Sequence, residues 1–157
     1  MIACDVAGIR FNYRVAGVFV EDGHVLIHRF TDADYWFLPG GRIEAGEASD
    51  EAVRREMREE LGVTITVGTL LWVVENFFFF ETTPFHEIGF YYQATLPSGT
   101  SLSDTSVVHT VTDDLGREVL FQWFPLQCLT SVNLVPPFLV EGLLDRPRHT
   151  RHLIDRR

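Results

Sequence analysis

Residues 41–63, GRIEAGEASDEAVRREMREELGV, put seven carboxylates into twenty-three residues, and any fold of this chain must accommodate them. They are Glu44, Glu47, Asp50, Glu51, Glu56, Glu59 and Glu60. Pro39, Gly40, Gly41 and Gly46 punctuate a loop at the start of the stretch. From 48 to 61 the apolar residues Ala48, Ala52, Val53, Met57 and Leu61 recur at helical spacing, and Gly62 follows as a left-handed stop would. The pattern predicts a helix that begins near Glu47, buries one stripe and carries charge on its other faces.

Side chains three and four apart share a helix face, so Glu56, Glu59 and Glu60 project together and repel one another by a few tenths of a kcal/mol per pair. Two arrangements offset that repulsion. Arg54, Arg55 and Arg58 are interleaved with the acids and would make a salt-bridged solvent face. Alternatively, the three carboxylates meet the needs of a hard divalent cation, which takes oxygen ligands and leaves positions for water and phosphate.

The surrounding elements set the fold class. Residues 13–20 and 24–29 are rich in β-branched and apolar side chains and flank the turn EDG, which reads as a hairpin. Residues 64–80, 86–96 and 118–126 read as strands, and Pro136 and Pro137 open a last helix through Asp145. The order β, β, α, β, β, β, α predicts an α/β or α+β sandwich on a mixed sheet. At 157 residues the chain fits one domain, assigned to 1–145, followed by a basic tail over 146–157 that is expected to be solvated and partly frayed, with contact of its five arginines with a polyanion as the alternative.

Charge and composition narrow the partners. A net charge of −9 argues against duplex nucleic acid or an anionic membrane as the main partner. The N-terminal segment is broken by Asp5, Arg10 and Arg14, so it lacks the apolar run of a signal peptide, and no segment is long enough to span a bilayer. Cys4 and Cys128 form no disulfide framework; they read as buried small apolar residues in a reducing, cytoplasmic compartment.

Spacing within the acidic stretch carries a resemblance. Gly41, five residues, Glu47, seven residues, and then Arg55-Glu56-Met57-Arg58-Glu59-Glu60-Leu61-Gly62-Val63 resembles the Nudix hydrolase signature at every defined position. The preceding WFLPG and the order of elements extend the likeness, less specifically, over most of the chain. The resemblance implies a loop–helix–loop on an α/β/α sandwich with a mixed sheet, placing metal ions, Mg²⁺ or Mn²⁺, against a diphosphate. It implies Glu56, Glu59, Glu60 and the Gly41 carbonyl as metal ligands. It also implies that Arg55 pairs with Glu47 to hold helix and loop, with Arg55 joining the three glutamates as catalytic machinery.

Other roles follow less directly. Hydrolysis needs a base, and beyond the signature Glu87 in FHEIGF and Glu118 in GREVLF are the candidates for an additional base or ligand. Arg29 is the candidate for a phosphate contact. The aromatic run NFFFF (76–80), with Phe85, Phe90, Tyr91 and Tyr92, should place about half its rings in the core and leave others free to stack on a base. Family subclasses acting on ADP-ribose or dinucleoside polyphosphates carry a proline or tyrosine in the interval held here by Phe79, Phe80 and Glu81. The expected substrate is therefore a small-molecule nucleotide, first a (deoxy)nucleoside triphosphate. The alternatives are ADP-ribose, a nucleotide sugar, a dinucleoside polyphosphate, or nucleotide binding without cleavage. Exposed strands leave a homodimer open.

Overall fold

A computed structural model describes residues 2–113 and 115–157. Its organising element is the 13-residue strand β2 (Ile9–Glu21). Along one edge β2 pairs antiparallel with β1 (Ala3–Val6), then β4 (Gly40–Arg42), and at its end with β3 (His24–Phe30). Along the other edge it runs parallel to β6 (Thr83–Thr95). β6 forms a long antiparallel hairpin with β5 (Thr66–Phe80), while β3 extends through β8 (Glu118–Pro125) to β7 (His109–Thr112). The expected β2–β3 hairpin turns at Asp22 and Gly23, both at positive φ (47° and 74°), as a type I′ turn requires.

Alternation along β2 divides the core. Val15 and Phe19 face helix α1 (Ser49–Leu61) and its inner residues Ala52, Val53 and Met57. Ala16 and Val18 face the other side, with Trp72, Val74 and Leu139. Burial of a Val or Met side chain contributes about 1.5–3 kcal/mol, against the few tenths lost per like-charge pair, so packing of its inner stripe holds the acidic helix in place. Gly62 ends α1 at φ 67°, donating its N–H to the Arg58 carbonyl at 3.1 Å, and the N–H of Val63 reaches back to Met57 at 3.4 Å.

The architecture is the mixed-sheet α+β sandwich expected, with one helix layer heavier than the other. The expected last helix shrinks to a single turn, α2 (Leu139–Gly142). Leu139 and Leu143 are buried beside Trp72, and a Cβ on Gly142 would come within 3.2 Å of that ring, so this segment is set by anchoring rather than by helical propensity. Strands β1, β4 and β7 add four, three and four residues that the sequence pattern did not single out.

Two expectations are corrected. The basic tail is not frayed over 151–156: those residues form β9 (Arg151–Arg156), parallel to β5 from Trp72 to Phe77. Backbone pairing with the exposed edge of β5 outweighs the polar composition of the segment. Cys4 and Cys128 are both exposed rather than buried. Among the described residues no helix is long and apolar enough to cross a membrane.

Candidate active site

The first turn of the site is a close approach of backbone to carboxylate. A Cβ at Gly41 would overlap the Glu56 carboxyl group, so a side chain there would push that carboxyl out of its place against β4. Arg55 then ties helix to loop. Its Nε donates to Glu47 Oε1 at 2.8 Å and its Nη2 to Glu47 Oε2 at 3.0 Å, a bidentate pair. The same guanidinium reaches Glu56 at 2.9 Å, Glu59 at 3.0 Å and the Arg42 carbonyl at 3.1 Å. Glu47 Oε2 also accepts the Glu44 N–H at 2.9 Å, and the hydrogen bonds from Arg55 hold its carboxyl below the usual range.

The three glutamates of the shared face divide. Glu59 is 58% exposed, whereas Glu56 is 14% exposed. Burial raises the pKa of Glu56 even against the favourable Arg55. Burial, and then the neighbouring charge of Glu56, push Glu60 up to about 8, with Glu59 and Asp113 adding to the rise and Arg14 opposing it. Glu60 Oε2 is buried and receives no hydrogen bond from the described residues. A carboxylate in that position is costly when ionised unless a cation meets it.

That orphaned oxygen is where a divalent ion would fit, with Glu56 one turn before Glu60 on the helix and the Gly41 backbone against the Glu56 carboxyl group. Among the described residues no three acidic, histidine or cysteine side chains converge so as to hold a metal ion, so Glu56, Glu59 and Glu60 do not form the three-carboxylate ligand set expected from their shared face. An open set of two buried carboxylates and backbone oxygen suits Mg²⁺, which keeps water and substrate phosphates in its remaining positions.

A cavity of about 370 Å³ opens on the face of the sheet away from α1. Arg14 and Arg42, paired across β2 and β4, line it. Arg14 lies 5.1 Å from the centre of the Phe37 ring, and its charge opposes the rise in the pKa of both Glu56 and Glu60. Asn12, Asn76 and Glu87 lie deeper, all buried, while Tyr35, Phe78, Phe80 and Phe85 form aromatic walls. Phe78 and Phe85 stack at 5.0 Å between centroids.

The residues singled out from sequence separate accordingly. Glu56, Glu60, Gly41 and Arg55 come together, with Glu59 at the solvent edge. Glu87 enters the cavity. Glu118 is exposed at the start of β8 and does not line the cavity. Arg29 is spent on the carbonyls of Thr31 and Ala33, at 3.3 and 2.5 Å, and lies 5.2 Å from the Trp36 ring. It therefore braces its own loop, and the cavity takes its arginines from elsewhere. Sequence reasoning passed over Arg14 and Arg42, although a charged residue inside the apolar run YRVAGVFV, and one directly after PGG, were available signals.

Comparison with known proteins agrees with this geometry. A MutT-like protein of Streptomyces ambofaciens is 44% identical over 63 residues, covering 40% of this chain and 41% of that protein. A CTP pyrophosphohydrolase of Escherichia coli (strain K12) is 38% identical over 58 residues, covering 34% of this chain and 43% of the relative. These matches span about two fifths of each relative's length. The fold is similar to that of a MutT protein from Bacillus halodurans, with a TM-score of 0.59 at 19% identity over 90% of this chain and 89% of the other. Residues 11–138, most of the sequence and including the Gly41–Val63 signature, match the NUDIX domain, and the chain belongs to the Nudix family.

Proposed function

We propose that this chain is a pyrophosphohydrolase that uses Mg²⁺, or Mn²⁺ in its place, to cleave the diphosphate linkage of a nucleoside diphosphate derivative, first a (deoxy)nucleoside triphosphate. The observation that carries the reading is the buried Glu60 Oε2, without a hydrogen bond from the described residues, beside Glu56, together with an aromatic-walled cavity lined by Arg14. A divalent cation held there supplies charge to neutralise the phosphates and acidifies a water molecule.

The protein's own groups do the rest. Glu56 and Glu60 hold the ion with the Gly41 backbone, and Glu59 adds a carboxylate from the solvent side. Arg55 keeps the helix and the Glu47 loop in register with one another. Arg14 and Arg42 meet the negative phosphates as these pass from the cavity to the helix. Water oxygen attacks phosphorus, the bridging P–O bond breaks, and a nucleoside monophosphate and pyrophosphate leave. Of the two later glutamates, Glu87 lines the cavity, which supports a contact with substrate, and Glu118 does not line it. The presence of Glu56, Glu59 and Glu60 together favours hydrolysis over binding alone, since a binding module has no need to bury Glu56 and Glu60 side by side at the cost that their raised pKa values reflect. The names of the similar proteins, a CTP pyrophosphohydrolase among them, support a nucleotide substrate.

The test is a screen of the purified protein with Mg²⁺ against nucleoside triphosphates, ADP-ribose, dinucleoside polyphosphates and nucleotide sugars, in ¹⁸O-labelled water. A triphosphate cleaved to monophosphate and pyrophosphate is expected. Much higher kcat/KM for ADP-ribose or a nucleotide sugar would replace the substrate, and full turnover in excess chelator would remove the metal.

A further inference from the structure

The floor of the cavity is a row of polar side chains on neighbouring strands. Asn12 of β2 is opposite Glu87 of β6, and Glu87 is opposite Asn76 of β5. All three are at most 6% exposed, in a cavity whose walls are otherwise largely aromatic and apolar. Burying an acid and two amides in such a place is costly unless they are needed there.

The orientation of the row is fixed from outside it. Arg157, directly after β9, donates from Nη2 to Asn76 Oδ1 at 2.7 Å. Its backbone N–H is anchored on the Phe77 carbonyl at 2.9 Å, and its guanidinium lies 5.3 Å from the centre of the Phe78 ring. With Oδ1 taken by a cationic donor, the Asn76 amide must turn its Nδ2 the other way, where it points to Glu87 Oε1 at 3.5 Å. Both polar ends of Asn76 are thereby used. What the row offers a ligand is acceptor capacity: Glu87 accepts from Asn76 at Oε1 alone among the hydrogen bonds of the described residues, and Oδ1 of Asn12, which stands opposite Glu87 across the strands, accepts none from them.

We propose that Glu87, aligned by the hydrogen-bond chain from Arg157 through Asn76, selects a nucleobase that carries an exocyclic amine. An amine offers N–H to the carboxylate, while a ring carbonyl at the same place would set lone pair against lone pair. This rests on the nucleotide reading above, and it makes Arg157 a positioning residue for specificity.

The experiment compares matched bases by calorimetric binding of α,β-methylene triphosphates with Mg²⁺: cytidine against uridine, and adenosine against inosine. Each pair exchanges an amine for a carbonyl. The amine member is expected to bind about tenfold more tightly in both pairs. Glu87→Gln, which keeps the volume and replaces an acceptor by a donor, should abolish or invert the preference. Arg157→Leu should reduce it to below about threefold by freeing Asn76 to flip, and Arg157→Lys, which keeps one donor, should restore part of it. Equal affinities within both pairs, binding of none of the four, or an unchanged ratio in both Glu87→Gln and Arg157→Leu would overturn the proposal. Because the readout is binding, a preference without hydrolysis of the parent triphosphates would defeat the hydrolase reading alone, and hydrolysis without preference would defeat this one alone.

Discussion

The acidic helix with its loop and the cavity floor are built by opposite means. Gly41, Glu47, Arg55, Glu56 and Glu60 lie within twenty residues of one another, and their contacts follow from one helix and one turn. Asn12, Asn76, Glu87 and Arg157 come from four strands or their ends and meet only because β2, β6, β5 and β9 lie side by side. A local arrangement keeps its geometry through covalent proximity, so it can hold strained electrostatics such as Glu60, whose buried Oε2 takes no hydrogen bond from the described residues. A distributed one keeps its geometry through the register of the whole sheet, and it is free to vary in detail without disturbing the local one.

The comparison breaks most visibly on the metal side. Glu60→Gln should lower turnover by about two orders of magnitude or more while leaving the melting temperature equal or higher, since the amide removes a buried acid. Steady-state kinetics beside a thermal melt checks both halves, and a variant with native turnover would show that the helix is only a scaffold.

A smaller effect, of a few kcal/mol at most, should appear as pH dependence. Burial first, and then Glu56, hold the Glu60 pKa at about 8, above its ordinary value of 4.5. Between those two values the unfolded chain has released a proton that the folded chain retains, so the stability of cation-free protein falls as pH rises, by up to about 1.4 kcal/mol per unit. Buried His28, held down at about 3, gives the opposite slope up to its ordinary value of 6.5, so urea unfolding at pH 7 and pH 8 should show the fall due to Glu60, and saturating Mg²⁺ should flatten it. A stability that rises over that range without metal would contradict the burial of Glu60.

The mildest of the three is Arg55→Ala. The guanidinium is 21% exposed and Glu47 16%, so the pair is partly shielded, and its loss should cost about 1–3 kcal/mol of stability together with some rate. Denaturant titration and kinetics on the same sample decide it. If the rate falls with no change in stability, Arg55 orients Glu56 without bracing the loop; if neither moves, the local network is ornamental.

The same contrast explains what could be read from sequence. Helix α1, its glycine stop and its carboxylate face were legible because period, cap and charge coincide over one short stretch. The long strands β2, β5 and β6 were legible from their β-branched and aromatic runs. Strand β9 was not, because RHLIDR is polar in composition and is stabilised by the open edge of β5. Nor were Arg14, Arg42 and Asn76, whose significance lies in which residues stand opposite them. Arg29 shows the converse: a strand arginine near the signature looks suited to phosphate, yet three nearby carbonyls claim it.

Strand β2 serves both regions at once, giving Val15 and Phe19 to the helix side and Asn12, Arg14 and Ala16 to the cavity side. An inserted or deleted residue there would exchange the two sets, sending Arg14 into the hydrocarbon beneath α1 and a valine to face the phosphates. The turn at Asp22 and Gly23 stands outside that constraint. Length variation in this chain should therefore be tolerated at its hairpin tips and lethal in the middle of β2, where a single codon gained or lost would remove the proposed metal site and the proposed base pocket together.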